Sequence, residues 1–221
     1  MSVDCRALLG RMKGLVPEDE VRYHERFWTM IYAVYYDRIV DEIVSKLPGP
    51  ARSVADCGAG YGYWSCFLAH KGLSVAAIDT QAACLAVLRA TAAALPAVTP
   101  IARDIHDLQA LGRDTYDVAF SFATLHVARD PARALKEMAA ITRRGGSIVI
   151  GISNVEHPVN HAFWKDAANV NYDVTQAYIA ATLAADCALV FRRDSYSYDN
   201  RILAAYGEIP LFTFSVHQKR V

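Results

Sequence analysis

The chain has 221 residues, 53% of them hydrophobic and 21% charged, and its 23 basic and 23 acidic side chains cancel. That length and apolar content support a substantial buried core and exclude an intrinsically disordered chain. One domain with modest additions is expected, and zero net charge argues against a large nucleic-acid footprint, which is normally basic.

No apolar stretch reaches the roughly 20 residues that cross a bilayer, and Met1-Ser2-Val3-Asp4-Cys5-Arg6 lacks the basic-then-apolar order of a secretory signal. Cys5, Cys57, Cys66, Cys84 and Cys187 are scattered and form no CxxC pair, which argues against a disulfide framework or a zinc site. A cytoplasmic protein with no membrane association is the expectation.

The N-terminal stretch to Leu47 reads as two helices. Leu8, Leu9, Met12 and Leu15 give a short apolar face before Pro17. Between Asp19 and Leu47, a run with Phe27, Trp28, Tyr32, Tyr35 and Tyr36 continues as Ile39, Val40, Ile43, Val44 and Leu47, near a 3.6-residue period. Pro48-Gly49-Pro50 ends it, because proline cannot continue a helix and restricts the residue before it. The expected division is a helical cap over 1–50 and a core over 51–221.

Beyond Pro50, strand and helix alternate. Strand 53–57 leads to helix 63–70, strand 74–78 to the alanine-rich helix 81–95, and strand 98–102 to a short helix at 107–111. Strand 117–122 leads to helix 131–142, which opens on Pro131, a residue suited to a first helical turn. Gly145-Gly146 is expected to stop that helix before strand 147–152. Apolar strands alternating with helices predict an α/β fold with a mostly parallel sheet covered on both faces.

Residues 154–173 are polar, carrying Pro158, His157, His161, Phe163, Trp164 and Tyr172. Such a stretch between core elements is more often functional than accidental, and it reads as an insertion over a substrate pocket. Helix 174–186 then precedes two β-like runs, 189–198 and 210–218, the second alternating as Phe212-Thr213-Phe214-Ser215-Val216. The link 199–209 is too short for a crossover helix, so these runs are expected to form an antiparallel hairpin.

The stretch richest in chemistry is Val54-Ala55-Asp56-Cys57-Gly58-Ala59-Gly60-Tyr61-Gly62, an apolar strand end running into alternate glycines and then a helix. Glycine accepts positive φ and has no Cβ, so a ligand can approach the main chain closely. About twenty positions on, the next strand ends in Asp79, whose carboxylate could accept hydrogen bonds from both hydroxyls of a ribose. Together these features point to a bound nucleoside.

This order of elements around this turn resembles the class I, Rossmann-like S-adenosylmethionine-dependent methyltransferases, especially their small-molecule branch, over roughly residues 51–221. The run from Val54 to Gly62 matches the family's first motif, and Asp79 stands where the family carries its ribose-binding acid. Arg103-Asp104-Ile105 occupies the place of the adenine contacts. Ser121-Phe122-Ala123-Thr124-Leu125-His126 looks like the fourth-strand motif, and Gly145-Gly146-Ser147-Ile148-Val149-Ile150 like the entry to the fifth strand. The closing hairpin suits the family's reversed seventh strand.

The resemblance implies a three-layer sandwich with a seven-stranded sheet, and S-adenosylmethionine as cofactor, leaving S-adenosylhomocysteine; no metal is expected. It implies that Asp56 orients the turn near the methionine amino group, with Gly58, Ala59 and Gly60 contacting the cofactor through their backbone. Asp79 and Thr80 would serve the ribose end, Asp104 and Ile105 the adenine, and Ser121 the fourth-strand side. Asp104 could equally be a helix cap. An NAD-dependent oxidoreductase fits less well, because the fingerprint G-x-G-x-x-G needs glycine where Tyr63 stands. A non-catalytic partner keeping the cofactor fold is a further alternative.

His126 falls beside the expected sulfonium methyl and is the candidate general base, with packing under the cofactor as the simpler reading. His157 and His161 stand four apart, but Pro158 interrupts a common helix and no third metal ligand is apparent. They are read as substrate-lining or solvated, together with Tyr23, Tyr36 and Trp164 as pocket aromatics that could attract a cation. The expected reaction is in-line methyl transfer to an O or N atom of a small, aromatic or hydrophobic acceptor by a monomer or homodimer. A protein or RNA acceptor is the alternative.

Overall fold

The computed structural model describes residues 5–27, 33–47, 51–158, 160–161, 170–196 and 209–221. They divide into two compact units, Met1–Asp104 and Ile105–Val221. Seven strands build a mixed α/β sheet, mostly parallel with antiparallel strands at the C-terminal end.

The first unit opens with helices α1 (Cys5–Met12), α2 (Glu18–Phe27) and α3 (Ala33–Ser45). Strand β1 (Ser53–Cys57), helix α4 (Tyr63–His70), strand β2 (Ser74–Asp79), helix α5 (Ala82–Ala94) and strand β3 (Val98–Ala102) follow. The strands are parallel in the order β3-β2-β1, with Val54 opposite Val75 and Val75 opposite Val98. Val54 to Cys57 and Val75 to Ile78 are buried without a break. Continuous burial, rather than alternation, marks strands covered on both faces, and α4 contributes by burying every residue from Tyr63 to Ala69.

The second unit holds a 3-10 turn (Leu108–Leu111), β4 (Tyr116–Phe122), α6 (Pro131–Ile141), β5 (Thr142–Ser153), α7 (Gln176–Leu183), β6 (Cys187–Tyr196) and β7 (Pro210–Lys219). Its strand order is β4-β5-β7-β6, with β4 parallel to β5 and β7 antiparallel to both β5 and β6. Helix α6 starts on Pro131, with the Asp130 side chain accepting the Arg133 N–H at 2.9 Å, the usual way an orphan amide at a helix start is satisfied. At the other end, Lys219 donates to the carbonyls of Ala139 and Thr142 at 2.9 and 2.7 Å.

One expectation is corrected. Gly145-Gly146 does not stop the preceding helix, which ends at Ile141; both glycines lie inside β5, where its pairing with β4 shifts register. A Cβ on Gly146 would sit 2.6 Å from the Asp117 carbonyl, so the pair allows a backbone contact inside the sheet. Thr213 and Ser215 are both buried, so the alternation along β7 separates apolar from polar side chains without an exposed face. Thr213 donates to Asp194 at 2.7 Å, and Ser215 lies 3.0 Å from the His217 ring, which meets the rule that buried polar groups find partners.

Within the region 19–47 the described residues form α2 and α3. Trp28, Tyr32, Pro48-Gly49-Pro50, Phe163, Trp164 and the link 199–208 lie outside the described residues, as does the Tyr36 side chain. Among the described residues no helix is long and apolar enough to cross a membrane.

Candidate cofactor site and acceptor-side histidine

The glycine turn is held from within the first unit. The amides of Gly58 and Ala59 both donate to the Ile78 carbonyl at 2.9 Å, and Gly62 donates to the Ala59 carbonyl at 2.9 Å. The Gly60 amide donates to Asp79 Oδ2 at 2.9 Å, while Asp79 Oδ1 accepts from the Gln81 amide at 2.8 Å. One carboxylate thus ties the glycine turn to the start of α5.

Two glycines do different work. Gly60 has φ +54° and a Cβ there would meet nothing within 4 Å, so this backbone borders open space. Gly62 has φ +89°, and its Cβ would come within 2.5 Å of Leu88 Cδ2. Its small size lets α4 begin close against α5. Gly60 therefore borders open space and Gly62 is a packing position, both in a conformation that disfavours other residues.

Asp56 is 2% exposed and its Oδ2 accepts the Ser65 hydroxyl at 2.6 Å. Burial pushes its carboxyl up to about 7; the nearby charge of Asp79 adds to the rise, and the hydrogen bonds from Ser65 oppose it. Thr80 is exposed and Asp104 half-buried; Thr80 directly follows β2 and Asp104 lies two residues past the end of β3. The Arg103 amide donates to the Asp79 carbonyl at 3.1 Å, which brings the chain just before Asp104 alongside Asp79.

Helix α2 is fastened to the same turn, a feature sequence reading missed. The Tyr61 hydroxyl donates to Glu20. The His24 ring meets Tyr61 edge-on with centroids 5.1 Å apart, and lies nearly parallel to Tyr63 at 5.9 Å. Burial lowers the His24 ring to about 4 against a smaller opposing effect of Glu20, so it packs as a neutral aromatic. Tyr63, the residue standing where a dinucleotide site needs glycine, is buried with its hydroxyl 3.7 Å from Met12 Sδ. The only sequence signal for this contact was the aromatic crowding.

In the second unit, Ile105 and Ser121 are buried. His126 is 1% exposed and meets backbone carbonyls on both sides: Nδ1 lies 3.2 Å from the Asn171 carbonyl and Nε2 3.0 Å from that of Ser153. Its own carbonyl accepts the Asn171 amide at 2.7 Å. Burial lowers the ring's proton affinity, and the two carbonyl contacts act the other way. His126 therefore joins the end of β5 to the chain returning from 154–173.

The remaining expected acceptor-side residues are scattered in kind. His157 is fully buried and its ring is lowered by burial, whereas His161 is exposed; the His161 amide donates to the His157 carbonyl at 2.8 Å. Tyr23 is exposed on α2. Tyr36 lies on α3.

Residues 55–150 match the family model described as a methyltransferase domain, the stretch that contains both the glycine turn and His126. Within residues 55–150 the chain is thus similar to methyltransferase domains. An uncharacterized methyltransferase of Mycobacterium tuberculosis is 36% identical over 102 residues, 46% of this chain and 40% of that protein. The chain thus spans less than half the length of this curated relative. Among solved structures, a complex of the Haloferax volcanii Trm112 methyltransferase activator with a protein described there as a methyltransferase aligns over 100% of both chains, with TM-score 0.70 and 17% identity. An S-adenosylmethionine-dependent methyltransferase from Mesorhizobium loti aligns over 81% of this chain and 96% of its own, with TM-score 0.66 and 20% identity. At such identities the structures establish the Rossmann-like fold. The geometry leaves room for a nucleoside cofactor of the kind such domains use: open space at Gly60 lies next to a carboxylate already held in place by the same turn.

Proposed function

We propose that the chain is a methyltransferase that moves the methyl group of S-adenosylmethionine to an oxygen or nitrogen of a small, aromatic or hydrophobic acceptor. The observation that carries the cofactor half is Asp79, anchored by the Gly60 and Gln81 amides beside the open backbone of Gly60. S-adenosylmethionine supplies a methyl group made electrophilic by a cationic sulfur. The chain's own part is then to align the acceptor and exclude water.

In this reading Asp79 and Thr80 bind the ribose, Asp104 and Ile105 the adenine, and Asp56 the amino group. Gly58, Ala59, Gly60 and Ser121 are the further residues proposed for the cofactor. Tyr23, Tyr36, His157, His161 and Trp164 are the residues proposed for the acceptor. Zero net charge supports a small acceptor over RNA, and a cytoplasmic monomer or homodimer is the matching form.

The test is incubation of the protein with S-adenosylmethionine carrying an isotope-labelled methyl group and a small-molecule metabolite extract, followed by mass spectrometry. A labelled small molecule formed together with S-adenosylhomocysteine supports the reading. Label found only in added protein or RNA fractions overturns the acceptor class. Absence of S-adenosylmethionine binding by calorimetry overturns the cofactor assignment.

A further inference from the structure

Ser65 lies in the first turn of α4, and its side chain is completely buried. Its hydroxyl donates to Asp56 Oδ2 at 2.6 Å, which is the short distance of a hydrogen bond to a charged acceptor. Asp56 itself has 2% exposure. A carboxylate that has lost its water stays ionised only if hydrogen bonds or opposite charge replace the lost hydration.

The groups around Asp56 supply little of that replacement. From β2, the Asp79 carboxylate repels a second negative charge, and from β1 the adjoining Cys57 thiol stays neutral because burial and Asp56 both hold its proton. From α4, Ser65 is the group that favours ionisation, through its hydroxyl and its backbone amide. The balance leaves the carboxylate titrating near neutral pH, where a bound cation would draw it to the ionised form.

We propose that Ser65 is a positioning residue that holds Asp56 ionised and aimed at the cationic amino group of the cofactor. The proposal rests on the cofactor reading above and gives that site a specific dependence on protons. Ser65 acts only through Asp56 and needs no contact with the cofactor itself. Because a protonated Asp56 offers no charge to an ammonium group, cofactor affinity should fall about tenfold per pH unit once pH drops below the carboxyl's titration.

The experiment is calorimetric titration of the full chain from pH 5.5 to 8 with two probes. S-adenosylhomocysteine carries the amino group, whereas 5′-methylthioadenosine keeps the adenosine and lacks the amino-acid part. The wild type should lose affinity for S-adenosylhomocysteine on the acid side and bind 5′-methylthioadenosine almost independently of pH. Ser65→Ala should move the acid limb up by about one pH unit, the scale of one hydrogen bond to a charged group, and Ser65→Thr should bring it back. Asp56→Asn should abolish the limb and leave weak, pH-flat binding; it preserves the side-chain shape and tests the idea even if Ser65→Ala folds poorly. Identical limbs for the two probes, or a limb unmoved in Ser65→Ala, overturns the proposal. Binding of neither probe at any pH overturns the cofactor reading, and this proposal with it.

Discussion

Asp79 has both carboxylate oxygens on backbone amides, so it organises the turn before any ligand arrives. Asp79→Ala should therefore weaken S-adenosylmethionine binding at least about tenfold, the scale of a lost hydrogen bond to a charged group; calorimetry showing unchanged affinity would remove the ribose assignment. His126 faces the opposite demand. A neutral imidazole carries one N–H, yet both ring nitrogens meet carbonyl oxygens, which only accept. To act as a base it would have to give up one of those contacts. His126→Ala should speed amide exchange at Asn171 at least about tenfold by releasing the returning chain, with cofactor affinity within about twofold. Unchanged protection with collapsed turnover would instead establish the base role.

Among the elements, β5 shows how tightly backbone and rings are fitted. A Cβ on Gly151 would lie 2.4 Å from Phe122 Cδ2 and 2.6 Å from Phe214 Cε1, and those two rings are stacked 5.5 Å apart at 11°. The Phe214 ring is fully buried and has little room to yield, so Gly151→Ala should lower the urea midpoint by an amount equal to about 1–3 kcal/mol. The element pattern itself was readable because its causes are local. Burial on both faces made β1 and β2 continuous apolar runs, Pro131 marked the start of α6, and a link too short for a helix implied antiparallel β6 and β7. The Gly145-Gly146 pair misled because a glycine reads alike whether it ends a helix or admits a carbonyl inside a sheet. The site divided along the same line. The glycines and Asp79 carry their meaning in spacing, whereas the Ser65–Asp56 pair, the Glu20–Tyr61 bond and the double carbonyl contact of His126 depend on tertiary placement.

At the scale of the whole molecule, buried titratable groups set the acid response. His217 is 2% exposed, and burial lowers its ring to about 4, below the ordinary value of 6.5. Between those values the unfolded chain binds the proton and the folded chain does not, so stability falls as pH drops from 6.5 towards 4. Asp56 works in the other direction: raised to about 7 from 3.8, it takes up a proton in the folded state first, and that contribution is lost as pH rises through the same range. The two oppose each other in wild type. His217→Gln should lessen the acid-side loss by on the order of 2–3 kcal/mol, as read from urea melts at pH 7 and 4.5, while the lowered rings of His24, His126 and His157 go on contributing to it. An unchanged pH dependence in the variant would show that His217 is not a source of acid sensitivity.

A turn that receives pyrophosphate aims its amides outward as a positive nest. Here the amides of Gly58, Ala59, Gly60 and Gly62 all point back into the protein, towards Ile78, Ala59 and Asp79. With those donors committed and the Asp56 and Asp79 carboxylates beside them, a nucleoside seated at this turn should be sorted by the sign of its charge. Adenosine joined to an ammonium group should meet attraction, and adenosine joined to phosphates repulsion with few amides to offset it. NAD and ADP should thus compete poorly with S-adenosylhomocysteine, even though all three share the same base and ribose.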